Sequence, residues 1–256
     1  MSDQHSLNLR HVFALATAGI LGLSGTSHGA IVVNNQTDVA PAGTPGAAYN
    51  PTTFASSATD LVNGKTGVVT YTGGTGSPTT EDAGGIGTWT NGSISTVYGG
   101  AGVTNATAHA AYGIVNATVG GSNIDTFVTY DLGGFYDITR VDVFMGWNDS
   151  GRDESSFNFL VSLDNITFTP VGGFAKVGDN TGAITTPVTN LHTIVDSGAA
   201  PIATGIRYVQ LQFTDADNGY AGLAEFDVIG TAVPEPSAII LVGLGGLAAI
   251  SRRRRG

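Results

Sequence analysis

From Ile138 to Trp147 the chain reads ITRVDVFMGW, and Val141, Val143, Met145 and Trp147 fall on every second position. That period puts one set of side chains on one face of an extended backbone, so it predicts a half-buried strand rather than a helix. SFNFLVSLD repeats the pattern with Phe157, Phe159, Val161 and Leu163. Asp164-Asn165 then supplies a turn before ITFTPV, which predicts a hairpin. YVQLQFT alternates Val209, Leu211 and Phe213 against Gln210 and Gln212, and EFDVIG sets Phe226 and Val228 on a closing strand. Upstream, VVTYT (68–72) reads as a strand between glycine-rich loops such as TGGTGSPTT and YGGAGVTNAT. No segment between residues 31 and 233 sustains a helical period. Short strands, tight turns and no crossover helices together predict an antiparallel β-sandwich.

Both ends stand apart from this pattern. Arg10 and His11 precede an apolar stretch, Val12 to Leu23, and then the small-residue run SGTSHGA. That order of basic, apolar and small residues is a secretory signal peptide, expected as a helix over residues 1–30, and it implies export. At the other end, the apolar run Ala238 to Ile250 is thirteen residues long. As a helix it spans about 20 Å, short of the roughly 30 Å hydrocarbon core, which suits a temporary stop better than a lasting anchor. Arg252, Arg253, Arg254 and Arg255 would keep that end cytoplasmic and the body outside.

Pro234-Glu235-Pro236, the short apolar segment and the terminal arginine cluster together resemble the PEP-CTERM sorting signal of Gram-negative bacteria. The resemblance implies processing near the Pro-Glu-Pro triplet by an exosortase, a membrane cysteine protease. It also implies only transient contact with the inner membrane through the C-terminal helix, then delivery to the cell surface or extracellular matrix.

Between Ile31 and Val233 five basic residues (Lys65, Arg140, Arg152, Lys176, Arg207) stand against eighteen acidic ones, a net charge of −13. Such a surface repels phosphate backbones, so nucleic acid is excluded as a partner. Acidic oxygens suit calcium instead. The chain has no cysteine, so an exported protein that could use disulfides must rely on packing, hydrogen bonds and a structural cation.

The stretch from Val128 to Val171 resembles the discoidin, or coagulation factor 5/8 type C, domain among the galactose-binding-like jelly rolls. YDLG, the strand-loop-strand around GWNDSGRD, and SLDNITF carry the likeness, with GYAGLAEFDVIG as the closing strand. SSATDLVNG (56–64) matches the family's early loop, with Asn63-Gly64 where Asp-Gly is usual. The implied layout is a lead-in at 31–54, a jelly-roll β-sandwich at 55–230 and the sorting signal at 231–256. The resemblance further implies calcium held by early-loop carbonyls and a carboxylate near the last strand, which points to Asp60, Asn63 and Glu225. A hydrogen-bonded strand carboxylate is the competing role for Glu225.

Catalysis has little material. Only His109 and His192 follow the signal peptide, too few for a histidine triad or zinc site, and each is expected at the surface. The match to G-x-S-x-G at Gly25 to Gly29 lies within the signal peptide. Sugar binding needs an aromatic face with planar polar groups beside it. Trp147, Asn148 and Arg152 share one loop and Tyr220 lies in another. Trp147 also continues the inward set begun at Val141, and Arg152 has Asp149 and Asp153 as neighbours, so core and ion-pair roles compete with sugar contact. The sequence therefore reads as a non-enzymatic module for extracellular polysaccharide. A matrix scaffold with no sugar pocket is the alternative, and a surface glycoside hydrolase comes third.

Overall fold

The computed structural model describes residues 29–41, 49–72, 86–95, 125–147, 153–178, 186–216 and 222–234, with Trp147 described by its backbone alone. The expected C-terminal helix, all of the expected N-terminal helix before Gly29, His109, Asn148, Asp149, Arg152, Tyr220, Glu235, Pro236 and Arg252 to Arg255 lie outside these residues. Among the described residues no helix is long and apolar enough to cross a membrane.

The described residues form eight antiparallel strands: β1 (Ile31–Val39), β2 (Val68–Thr72), β3 (Asp125–Trp147), β4 (Ser155–Ser162), β5 (Thr169–Phe174), β6 (Val188–Asp196), β7 (Ala203–Ala216) and β8 (Leu223–Ala232). A short 3-10 turn, Ile86–Thr90, lies between β2 and β3. Hydrogen bonds run along the order β1-β6-β3-β7-β4-β5, with β2 and β8 also paired to β3.

The long strand β3 makes two layers of this path. Its first part, Thr126 to Asp131, lies between β2 and β7, and its last part, Arg140 to Trp147, lies between β6 and β8. Register shifts between Asp131, Tyr136 and Ile138 mark the passage from one layer to the other. Gly133 sits in this bend at φ +82°, a conformation that side chains with a Cβ resist, and its N–H donates to Asp131 Oδ1 at 2.8 Å. The YDLG motif is thus where the chain changes sheets.

The two layers pack through the alternating residues that the sequence predicted, except Leu163, which lies past the end of β4 and is exposed. Phe226 of β8 lies 5.5 Å from Tyr130 of β3 and 6.3 Å from Phe159 of β4, centroid to centroid. Val141, Val143, Met145, Phe157, Phe159, Val209, Leu211, Phe213, Phe226 and Val228 are all buried in one core. Each such side chain contributes about 1.5–3 kcal/mol by leaving water. At the far edge, β5 closes on β6: a Cβ at Gly172 would meet Ile194 Cγ2 at 3.0 Å and Ile31 Cγ2 at 3.2 Å. Glycine therefore sets how near those strands approach.

Several expectations shift. Residues 31–54, expected as a lead-in, supply β1, which pairs with β6 over its whole length. The second hairpin strand begins at Thr169 rather than Ile166. Asp164 Oδ1 accepts from the N–H groups of Ile166 and Thr167, both at 2.9 Å, which extends the turn and leaves Ile166 exposed. His192, expected at the surface, is buried.

Candidate functional site

Topology brings the two sugar-candidate loops to one end of the sandwich. Trp147 is the last residue of β3 and pairs with Val188, the first of β6. Gly146 N–H donates to Gly222 O at 2.7 Å, and Ser155 pairs with Ala216. The segment after Trp147 therefore starts beside the strand to which the segment after Ala216 returns, and returns beside the strand from which that segment starts. Asn148 and Arg152 belong to the first of these segments and Tyr220 to the second. The described residues settle the anchors of both loops; the side chains of the four sugar candidates lie outside them.

The opposite end holds both chain exits. β8 runs from Leu223 at the loop end to Ala232, a span of about 30 Å for its ten residues. Val233 N–H then donates to Phe135 O at 2.8 Å, so the chain leaves the sandwich beside the β3 bend. β1 enters at the same end, where Gly29 N–H donates to Asp196 Oδ1 at 3.0 Å.

Of the calcium candidates, Asp60 sits against the free edge of β8 at Val228, and Glu225 is a residue of that strand. Leu61 N–H donates to Val228 O at 2.8 Å, and Asp60 Oδ1 accepts from Val62 N–H at 2.8 Å and Val228 N–H at 3.4 Å. The early loop thereby covers the edge that β8 would otherwise expose. Asn63 braces this loop by donating its amide to Ala58 O at 2.8 Å. Glu225, fully buried, accepts on Oε2 from the N–H groups of Asn91, Gly92 and Ser93 at 3.1, 3.1 and 3.2 Å. It is a hydrogen-bonded strand carboxylate on that oxygen. Its other oxygen, Oε1, and Asp60 Oδ2 are buried without a hydrogen-bond partner.

Sequence reasoning missed Asp227 at this site. It is buried, its Oδ2 accepts from Ser57 N–H at 2.6 Å, and its Oδ1 has no partner. The signal was present in EFDV: Glu225 and Asp227 occupy the face of β8 opposite Phe226 and Val228, so one cover must bury both acids. Burial, and then the charge of Asp227, push the Glu225 carboxyl up to about 9 against the pull of its three amide donors. Burial likewise pushes Asp227 up to about 7, with Asp60 and Asp142 adding repulsion. Asp60 is raised by burial as well. Each of these three acids resists ionisation and keeps one oxygen without a hydrogen-bond donor, the kind of atom a hard cation binds. Among the described residues, however, no three of His, Cys, Asp or Glu are grouped so as to hold a metal ion.

The fold is an antiparallel β-sandwich in which the early loop meets buried acids of the last strand. Residues 232–255 match the PEP-CTERM protein-sorting motif, so the chain carries the sorting signal of an exported protein handled by an exosortase. No curated protein matches the sequence.

Similar solved structures are carbohydrate-binding modules and a lectin domain. A Clostridium perfringens CBM32 domain in complex with GalNAc-β-1,3-galactose is 16% identical, covers 64% of this chain and 94% of its own, and superposes with a TM-score of 0.39. The lectin domain of lectinolysin complexed with Lewis B antigen is 16% identical at 68% and 97% coverage, with a TM-score of 0.39. Chitosan-binding module 1 of a chitosanase/glucanase from Paenibacillus sp. IK-5 is 16% identical at 67% and 98% coverage, with a TM-score of 0.34. The superpositions are partial, and none transfers a site to this chain.

Proposed function

We propose that this protein is a non-catalytic carbohydrate-binding module, exported and displayed at the cell surface or in the extracellular matrix, where it binds extracellular polysaccharide. The observation that carries the reading is the sharing of one sandwich end by the two loops that bear Trp147, Asn148, Arg152 and Tyr220. The strand ends that anchor these loops lie at the opposite end of β8 from Val233, which leads to the sorting motif. An aromatic group beside an amide and a guanidinium suits a sugar ring, stacking on its C–H face and reading its hydroxyls. The named ligands of the similar structures, sugars in each case, agree with this reading.

Calcium belongs to the same proposal in a structural role. Asp60, Asn63 and Glu225, with neighbouring carbonyls, would hold it, and its charge would offset the buried carboxylates at the β8 edge. The early loop and the 91–93 segment would then be fixed against the last strand.

Binding of the exported protein to the polysaccharide of its own host, with calcium and again with chelator, tests both parts. Loss of binding in a folded Trp147→Ala variant is the expected result. Undiminished binding in that variant removes the loop site, and no binding to any glycan leaves the matrix scaffold as the better description.

A further inference from the structure

The outer face of the layer built from β2, β7 and the first part of β3 carries a groove that the loop site does not use. It has a volume of about 370 Å³, within the ~300–1,000 Å³ range of small-ligand sites. Val68, Phe168 and Tyr208 form its apolar wall, and Asn165 and Gln210 supply amides. Asn165 stands at the turn between β4 and β5 at φ 61°, and its side chain has no hydrogen-bond partner among the described residues. Gln210 is held by donating Nε2 to Thr129 Oγ1 at 2.8 Å, which fixes the direction of its carbonyl.

Two of the charges beside this groove are matched to each other, and Lys65 adds a positive charge near Asp131. Arg207 donates from Nε to Asp131 Oδ1 at 3.1 Å and from a terminal nitrogen to Oδ2 at 3.0 Å, and its guanidinium carbon lies 5.2 Å from the Tyr208 ring centroid. The pair leaves neither a free cation for an acidic ligand nor a free carboxylate for a basic one. What remains is aromatic surface beside amide and hydroxyl groups, the chemistry that suits a neutral sugar unit.

A line of planar amides continues from the groove along β7. Gln212 donates to Asp125 Oδ2 at 2.8 Å and accepts from Asn158 Nδ2 at 3.2 Å. Gln210, itself 8% exposed, and the half-buried Gln212 occupy the face of β7 opposite Val209, Leu211 and Phe213. From Tyr208 to Ala216 the strand covers about 25 Å toward the loop end. We propose that this face is a second binding site, taking a sugar unit of a neutral polysaccharide whose chain runs along β7 toward the loops. The inference rests on the glycan-binding reading for its ligand class, and it names a surface that reading does not need.

The test is a titration of the exported, isotope-labelled protein with soluble neutral hexasaccharides of glucose, galactose and N-acetylglucosamine, followed by NMR. Shifts in the side-chain amides of Asn165, Gln210 and Gln212 are expected, with at least a tenfold loss of affinity at those signals in Tyr208→Ala. Asn165→Gly, which suits the left-handed backbone of the turn while deleting the amide, is expected to weaken the same signals in a protein of unchanged melting temperature. Shifts confined to residues around Trp147, with Tyr208→Ala and Asn165→Gly without effect, overturn the second site and leave the loop site standing. Shifts confined to the groove uphold the second site and remove the loop site. No shift with any of the sugars overturns both.

Discussion

His192 of β6 stacks on Phe174 of β5, ring centroids 4.0 Å apart and planes 28° apart, so an imidazole joins the two layers at their edge. Its Nδ1 faces Asn35 Oδ1 at 2.8 Å, which assigns the proton of the neutral ring to Nδ1, while Nε2 is buried with no partner. Burial lowers its pKa from 6.5 to about 4. The folded state therefore binds the proton more weakly than the unfolded chain. Stability from this group is fully present above pH 6.5 and is lost as pH falls toward 4, on the order of 3 kcal/mol in all. The raised Glu225 and Asp227 carboxyls act in the opposite sense over the same range, since the folded state binds their protons more tightly. Denaturant titrations between pH 7 and pH 4 should therefore show the stability of the wild type fall, relative to a folded His192→Gln variant, by about that amount. The same pH dependence in both would show that His192 does not contribute.

Phe226 is the centre of the inter-layer contact, against Tyr130 and Phe159. Phe226→Ala should cost about 3–5 kcal/mol, since the facing sheets cannot collapse into the space. Val68→Ala, at an exposed position of β2, should change stability by less than ~0.5 kcal/mol. Urea unfolding of both variants checks the contrast.

For the calcium proposal, the readout is melting temperature with millimolar calcium against chelator. A cation that binds only the folded state stabilises it by about 2.7 kcal/mol at a hundred times its dissociation constant. The wild type should gain stability and Glu225→Gln should not. A wild type that melts identically in both conditions would remove calcium from this site.

Sorting is checked by mass spectrometry of the mature protein from a strain that has an exosortase. Peptides containing Arg252 to Arg255 should be absent, and the last peptide should end near Pro236. Their presence in the mature protein would make the segment a permanent part of it.

The strands that were legible in the sequence are those with one wet face. In β7, Val209, Leu211 and Phe213 go into the core while Gln210 and Gln212 take the opposite face, under partial cover, and the period shows. β6 hides the same geometry, because Thr189, Asn190 and His192 are buried together with Val188 and Leu191. Polar residues that find partners inside erase the alternation: Asn190 accepts from Thr37 and donates to Asp153 O. β1 is polar along its middle because it is an edge strand whose side chains are mostly exposed. At the candidate site, Asp60 and Glu225 came from family resemblance, and Asp227 was passed over because an acid flanked by core residues reads as an outward strand position. The cover that buries it comes from loops more than a hundred residues upstream, which no local pattern reveals.

The course of β8 decides how the protein would bear a pull. A load entering at Val233 and leaving through the loop end runs along the axis of β8, parallel to its pairing with β3. The strand cannot peel away one rung at a time, as it would if both forces met at one end. The rungs from Tyr136–Ala232 to Met145–Leu223 are instead sheared together, and Leu61 grips the outer edge at Val228. Drag on a captured polymer would thus meet the mechanically strongest direction of the sheet.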